Sequence, residues 1–407
     1  MQNYSSEKGQ ALIIITLAAV VLFGFAALAI DGTMAFSDKR HAQNAADTAA
    51  LAAALAKIRG QSFDAAANNR ATSNGYDNNG TTNVVEVYNP PADGFYAGNS
   101  EYIQVKITSH VKTYFARVIG RSELINHVEA VARTVPGYTA SMFGGSAVVG
   151  LDPTGCKSVF FNGNANMTLT GSGIYVNSNC TPNAFYNQSN SGGILTTPCL
   201  QTVGGYQYTS GKVQFTGAGC PQSSVPPMPT PTLPNISCGT QQATIQADNT
   251  TLSPGNWNGA FPPNGVTHLQ SGTYCVSGGN FQINGGNTLI GHDVTIMMVD
   301  GFVKWNGGAT VKLDAPDTGE YAGLLLYLPP TNSNVVVVNG NGDSQIVGSI
   351  LAPKSEVTVE GGGGASGLEC QIIGWHVNLS GSSNTSIDFK AELNYQPPIP
   401  PMIEITQ

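Results

Sequence analysis

The stretch GQALIIITLAAVVLFGFAALAIDGTMAFSDKRHAQNAADTAALAAALA, residues 9–56, decides how this chain of 407 residues begins. Residues 11–30 carry no charge, and a helix of that length covers about 30 Å, the thickness of a bilayer's hydrocarbon core. We therefore predict a transmembrane helix over 11–30, preceded by a short cytoplasmic segment, 1–10. A cleaved signal peptide is the alternative, because Ala27-Leu28-Ala29 has the A-x-A form, but the apolar run is longer than such peptides need.

The second part of this stretch is rich in alanine, and no proline interrupts it before Arg59. A repeat every four residues places alanines on one smooth face, namely Ala42, Ala46, Ala50 and Ala54 beside Ala45, Ala49 and Ala53. Small side chains let a neighbour approach closely, and we predict that this neighbour is the chain's own sheet rather than another subunit's helix. Larger apolar contacts are expected from Met34, Leu51, Leu55 and Ile58, whereas Lys39, Arg40 and Asp47 are expected to face water.

Residues 31–136 are predicted to form a small α/β domain that continues the helix outside the membrane. Strand patterns occupy 84–88, 101–110 and 125–135, and the second of them alternates apolar with polar residues. The apolar spacing of 111–120 predicts a short helix between the last two strands. The expected result is a sheet with helices on one face.

Three short motifs resemble one known family. They are Lys8-Gly9-Gln10 before the apolar run, Asp31-Gly32 at its exit, and KRHAQNAADTAALAAALA at 39–56. Together they resemble the N-terminal region of TadE/TadG-like proteins of the tight-adherence (Flp) pilus-assembly system. The resemblance implies an inner-membrane anchor with the remainder in the cell envelope. Pilin-like members of the system that are cleaved carry a glutamate five residues after the cleavage glycine, where this chain has Ile14, so cleavage after Gly9 is not expected.

Beyond Gly137 the helix signals end, and short β-branched runs alternate with Gly, Asn and Ser. An internal echo begins at Gln345 and again at Gln371, a spacing of 26 residues. Such repeats are typical of solenoids, so 137–394 are predicted to form an all-β domain resembling a right-handed parallel β-helix. A β-sandwich is the alternative, although two-residue hairpin turns are scarce.

Proline and cysteine mark two further features of the second half. Residues 221–238 are proline-rich and predict an extended linker or long loop, and 395–407 predict an extended surface tail.

All seven cysteines lie beyond Gly137 without any CxxC pair, which indicates disulfides in an oxidising compartment. The odd number leaves one unpaired, and Cys370 is the most isolated in sequence. The basic residues flanking the span are nearly balanced, so the cysteines decide the orientation: N-terminus inside, bulk outside.

The charge pattern argues against nucleic-acid binding. Only 10% of the residues are charged, the net charge is -8, and the region after Pro136 contains six lysines but no arginine. Nucleic-acid surfaces need clustered lysine and arginine.

No catalytic, cofactor or metal site is predicted. Asp314, Asp317 and Glu320 lie in turn sequence, and the neighbours His292 and Asp293 would point to opposite faces of a strand. The segment 339–343 has too few carboxylates for a calcium loop. No HxxxH or HxH pattern occurs among the histidines, which are His41, His110, His127, His268, His292 and His376. The aromatic residues Tyr206, Tyr208, Tyr274, Trp257 and Trp305 are expected in the core or in stacks.

The expected function is therefore that of a non-enzymatic, membrane-anchored envelope protein, a scaffold or accessory component of a Flp-type pilus assembly. Its partners would be the membrane and other assembly proteins. A surface adhesin that binds glycan or a neighbouring cell is the alternative, at the cell surface. A polysaccharide-active β-helix enzyme is the third hypothesis.

Overall fold

A computed structural model describes residues 8–188, 192–361 and 367–406, with side chains from residue 12 onward. The chain divides into two compact units, one formed by residues 1–138 and 399–407, the other by residues 139–398. It passes between them along two short paired strands, Tyr138–Thr139 and Pro398–Ile399. The boundaries predicted from sequence are 136 and 394.

Two helices belong to the first unit. Helix α1, Lys8–Ile58, runs for 51 residues through both the apolar and the alanine-rich parts, as the quoted stretch predicts. Helix α2, Phe63–Ser73, was not predicted, because its sequence FDAAANNRATS has too few apolar residues to show a periodicity. Its only sequence signal is the N-cap Ser62, whose hydroxyl accepts a hydrogen bond from the Ala65 N–H at 3.3 Å.

An antiparallel sheet accompanies the helices. Its first three strands, β1 (Asn83–Tyr88), β2 (Tyr102–Lys112) and β3 (Glu123–Val135), confirm the strand predictions. The helix predicted over 111–120 is wrong. Strand β2 continues to Lys112, which pairs with Glu123 of β3, and only a single 3₁₀ turn, Ala116–Ile119, follows.

The fourth strand comes from the other end of the chain. Residues Met402–Thr406 pair with β3 from Val135 back to Val131, in place of the surface tail that the sequence predicts. Ile403 and Ile405 pack against the core between sheet and helices. Their two-residue spacing is a strand signal, but the prolines that precede it conceal it.

The second unit is a parallel β-solenoid of about 11 turns, which confirms the predicted β-helix class over the β-sandwich. One side is a ten-stranded sheet, and its strands in spatial order are Val213–Phe215, Leu195–Thr197, Met167–Thr170, Thr385–Asp388, Gly367–Glu369, Gln345–Val347, Thr310–Asp314, Thr288–Gly291, His268–Leu269 and Thr251–Leu252.

A sixteen-stranded sheet forms the rest of the solenoid wall. Its main path is Gln222–Ser223, Leu200–Thr202, Ile174–Val176, Val148–Gly150, Ile372–Ser380, Ser349–Glu360, Leu324–Tyr327, Val294–Met298, Gly272–Ser277 and Gly255–Asn258. The remaining strands are Val159–Phe161, Phe185–Asn187, Tyr206–Gln207, Phe281–Ile283, Val303–Trp305 and Val336–Val338. Two 3₁₀ turns, Met142–Gly145 and Ala391–Leu393, also lie in the described part of this unit.

The chain enters the solenoid in its middle. Strand Val148–Gly150 starts a set of turns that winds outward to Gln222–Ser223. The chain then restarts at the opposite end, near Gly255–Asn258, and winds back until Ile372–Ser380 pairs with Val148–Gly150. Two stretches distant in sequence thus form one continuous stack.

The proline-rich segment makes the connection between the two ends. Strand spacings of about 4.8 Å give about 43 Å for the nine steps between the end strands of the main path. A polyproline II segment advances about 3.1 Å per residue, so residues 224–238 can cover about 46 Å. No helix or strand interrupts 225–238. We call residues 224–238 the strap.

The strap lies on an outer apolar patch rather than in the solenoid interior. Its Val225, Met228 and Ile236 pack into a cluster with Tyr175 and Tyr327. The Tyr175 hydroxyl accepts a hydrogen bond from the Met228 N–H at 2.8 Å. Polyproline II repeats every three residues, and the packed strap residues fall into two such rows, Val225 and Met228 in the first and Leu233 and Ile236 in the second.

Three disulfides confirm the cysteine prediction. They join Cys156 to Cys180, Cys199 to Cys220, and Cys238 to Cys275. Each end of the strap is thereby fixed to a solenoid turn, since Cys220 precedes it and Cys238 closes it. Cys370 is free and buried, as its isolation in sequence suggested, and burial raises the pKa of its thiol to about 12.

The predicted repeat has a different register in the structure. The sequence repeat aligns Gln345 with Gln371. In the sheets, however, Gln345 pairs with Gly367, and Ile350 pairs with Ile372. A bulge then shifts the register, so that Val357 pairs with Val377. The solenoid turns therefore differ in length. Residues that match in the sequence repeat are not the residues that stack on each other.

Candidate functional site: the helix that leaves the apolar segment

The alanine face of α1 is completely buried. Each of its seven alanines has 0% exposure and belongs to one apolar cluster with β2 and β3, namely Ala42, Ala45, Ala46, Ala49, Ala50, Ala53 and Ala54. The sheet contributes Ile103, Val105 and Ile107 from β2 and Val128 from β3 to the same cluster. This arrangement confirms packing on the chain's own sheet. Met34 and Leu55, expected to supply apolar contacts, are exposed instead.

Asp38 is the polar centre of the contact between helix and sheet. Its carboxylate accepts hydrogen bonds from the Tyr76 hydroxyl at 3.1 Å, the Asn126 amide at 2.7 Å and the Ser109 hydroxyl. The Asn126 amide also donates to the Ala35 carbonyl at 2.9 Å. Burial, together with the nearby Asp38 charge, raises the pKa of Tyr76, which keeps its hydroxyl protonated as a donor.

Asp31 forms a second tie, one residue beyond the apolar run. Its side chain accepts three backbone hydrogen bonds, from Tyr114 N and Phe115 N at 2.9 Å and from Ala116 N at 2.7 Å. These are free donors at the start of the 3₁₀ turn, and the carboxylate caps them. The Asp-Gly motif at the helix exit thus fixes a loop more than eighty residues away.

Further hydrogen bonds are made by residues nearer the C-terminal end of α1. The Gln43 amide donates to Asp47 at 2.9 Å and to the Glu129 carbonyl at 2.8 Å. Lys57 donates to the Asn89 side chain at 2.9 Å and to the Ser100 carbonyl. Burial lowers the pKa of Lys57, although the Glu101 charge opposes that shift. Both hydrogen bonds and apolar packing therefore hold the alanine-rich part of α1 in place.

Overpacking tests this face. Ala49→Leu should destabilise the first unit by about 1–3 kcal/mol, because the added side chain has no space between helix and sheet. Hydrogen exchange of the amides in 42–54, measured on the full chain, should become faster. Asn44→Leu is the matched control, since Asn44 is exposed on the same helix. Unchanged exchange in Ala49→Leu, together with failed assembly in cells, would assign the face to another subunit.

The N-terminal part of α1, residues 12–30, is apolar but exposed. Among the residues that the structure describes, α1 alone is long and apolar enough to cross a membrane, and its most apolar window has a mean hydropathy of 2.8 and no burial. Leu12, Val20 and Phe23 are all exposed. Exposed apolar side chains below and buried alanines above divide one helix into two parts, and the lower part suggests membrane anchoring.

Two His–Asp pairs lie among the described residues of the solenoid, and neither joins residues adjacent in sequence. His292 Nδ1 lies 2.5 Å from Asp314 Oδ1, whereas Asp293 donates only its backbone N–H to Asp314, at 3.0 Å. His376 Nε2 lies 2.8 Å from Asp152 Oδ2, although 224 residues separate them. Parallel stacking brings these partners together, and no local pattern could reveal it.

The environments of these pairs indicate structural roles. His292 is highly exposed at a corner between turns. Asp152 is buried and also accepts hydrogen bonds from Thr154 N and Gly155 N at 2.9 and 2.8 Å. Burial tends to raise the pKa of Asp152, but these donors and His376 outweigh it and lower the pKa. Such a carboxylate stays ionised and holds its loop.

The remaining candidate residues are part of the framework. Tyr274 and Trp305 are completely buried, and Tyr206 stacks on Tyr208 with ring centroids 5.8 Å apart. Over residues 8–188, 192–361 and 367–406, no three His, Cys, Asp or Glu side chains come together as a metal site would require.

Comparison with known proteins matches one part of this arrangement. Residues 9–56 match the family described as Flp pilus-assembly TadE/G-like, which is the stretch whose motifs resemble that family. No curated protein and no solved structure matches the chain. The matched residues contain both the apolar segment and the alanine face, as well as Asp31 and Asp38. The match supports involvement in Flp pilus assembly.

Proposed function

We propose that the chain is a non-enzymatic scaffold or accessory component of a Flp-type pilus assembly, anchored in the cytoplasmic membrane. The observation that carries the proposal is the TadE/G-like match over 9–56, which covers both the exposed apolar part and the buried alanine-rich part of α1. The lower part would lie in lipid, and the upper part would present a folded unit directly above the bilayer.

The proposed orientation places the N-terminus in the cytoplasm and both folded units outside. The three disulfides of the solenoid support it, because disulfides persist in oxidising compartments and are rare in the cytosol. A scaffold role agrees with the solenoid, which offers long, rigid walls held by stacked turns. Ile14, in place of the glutamate of cleaved pilin-like members, argues against a role as the main fibre subunit.

Surface adhesion is a second candidate, and one observation favours it. An open cleft of about 830 Å³ on the solenoid is lined by uncharged residues, and five of them carry side-chain amides, namely Asn264, Asn280, Gln282, Asn284 and Asn287. Amide groups donate and accept hydrogen bonds as sugar hydroxyls require. Binding of purified chain to a glycan array, lost in an Asn284→Ala and Asn287→Ala variant, would favour this role.

Deleting the gene from its host tests the assembly role. Electron microscopy should show loss of Flp pili, and the wild-type gene should restore them. If cells without the gene keep a normal number of pili, the proposal is wrong.

The anchor has a separate test. Val20→Arg places a charge in the middle of the span, which costs about 2.5–3.5 kcal/mol on insertion scales. The variant should disappear from carbonate-washed membranes and fail to restore pili, whereas Val20→Leu should behave as wild type. A Val20→Arg chain that remains in the membrane fraction would exclude residues 11–30 as the span.

A further inference from the structure

The loop that Asp31 caps exposes an unusual set of side chains. Val118 is 91% exposed and Ile119 is 70% exposed, although both are aliphatic. Tyr114 and Phe115 also have large exposed fractions. Four large exposed apolar side chains within six residues indicate an interaction site, whereas single exposed apolar residues are ordinary.

The position of this loop along α1 is fixed by its hydrogen bonds. Asp31 directly follows Ile30, the last residue of the uncharged run. The N–H groups of Tyr114, Phe115 and Ala116 lie within 2.9 Å of the Asp31 carboxylate. Because residues 11–30 cover about 30 Å of helix, the thickness of the hydrocarbon core, the capped backbone lies at the level where the core ends.

The charges of the loop complement a lipid surface. Arg117 and Arg121 are exposed within the same short segment, and exposed Lys112 precedes it. Lipid headgroups carry phosphates, and arginine binds phosphate through paired N–H donors. Tyrosine is enriched at the boundary between headgroups and acyl chains, where its ring and hydroxyl find different surroundings.

We propose that residues 113–121 form a second membrane contact, seated in the outer surface of the same bilayer that holds α1. Val118 and Ile119 enter the boundary of the acyl chains, Tyr114 lies among the headgroups, and Arg117 and Arg121 bind phosphates of anionic phospholipids. The proposal rests on the anchoring of residues 11–30. One helix leaves rotation and tilt of the anchor free, and a second contact beside its exit restricts both.

Photo-crosslinking tests the contact in the full chain. Benzoylphenylalanine is placed at position 118, and the protein is reconstituted into vesicles of phosphatidylethanolamine and phosphatidylglycerol. After irradiation, mass spectrometry should find at least tenfold more lipid adduct at 118 than at position 95. Phe95 is the matched control, since it is 94% exposed but lies in the loop between β1 and β2.

A third label separates failure of the loop from failure of the anchor. Benzoylphenylalanine at position 23, in the span, should give lipid adducts whenever the anchor is in the bilayer. Adducts at 23 without excess at 118 would overturn the loop contact and leave the anchor intact, as would crosslinks from 118 to a second copy of the chain. No adducts at either position would overturn both.

The arginines have their own comparison. Replacing phosphatidylglycerol by phosphatidylcholine should lower the adduct yield at 118 several-fold, and the Arg117→Gln, Arg121→Gln variant should lose that dependence. Equal yields in both lipids for the unsubstituted arginines would overturn their assignment to anionic headgroups.

Discussion

Phe281→Ala should lower the free energy of unfolding of the solenoid by about 3–5 kcal/mol, the usual cost of deleting a fully buried aromatic ring. Phe281 has no exposed surface. Its ring contacts Phe261 and Trp305 in edge-on geometry, with centroid distances of 5.0 and 5.5 Å. The deletion would leave a cavity between two stacked turns, and the rigid strands around it cannot close.

Tryptophan fluorescence during chemical unfolding measures this effect selectively. The three tryptophans of the chain, Trp257, Trp305 and Trp375, all belong to the solenoid unit. Lys304→Ala is the matched control, because Lys304 is exposed on the strand that pairs with Phe281's strand. A Phe281→Ala variant as stable as Lys304→Ala would place the ring outside the core and contradict the solenoid arrangement.

Removing the bridge at the end of the strap should have the second large effect. Replacing both Cys238 and Cys275 by alanine opens a loop with a sequence separation of 37 residues. Loss of a native disulfide that closes such a loop costs about 2–5 kcal/mol, chiefly because the unfolded chain becomes less restricted. The strap should also be cut faster by protease, since one of its two fixed ends is free.

The unfolding midpoint and the protease cleavage sites check this prediction together. Cys370→Ala removes a buried thiol but no cross-link, and it should lower the midpoint less. A double variant with the wild-type midpoint and an uncut strap would show that the outer apolar patch alone holds the segment.

The first unit was predictable where a pattern is local. The repeat of Ala45, Ala49 and Ala53 marks a packing face by itself, and the alternation in 101–110 marks a strand. The segment 111–120 misled because its apolar residues are spaced as on a helix. Phe115, Val118 and Ile119 are exposed in a capped loop, so their spacing reflects an outward-facing surface and not a buried helix face.

Features that depend on distant partners were beyond sequence reasoning. Asp31 stood out only as part of a motif and Asp38 did not stand out at all, since their partners Ala116 and Asn126 lie far along the chain. Likewise, the solenoid class follows from short strands and corners, but the entry of the chain in the middle of the stack does not. The proline-rich segment indicated an extended chain, and only the positions of both ends show that it spans the solenoid.

One labelling measurement tests the central proposal, that α1 crosses the cytoplasmic membrane and carries both folded units on its outer side. Intact spheroplasts are treated with a membrane-impermeant amine reagent, and labelled lysines are identified by mass spectrometry. Exposed Lys39, Lys304 and Lys354 should be labelled, whereas Lys8, before the span, should react only after permeabilisation. Labelling of Lys8 in intact spheroplasts with protection of the other three, or a mature chain that lacks Lys8, would contradict the account.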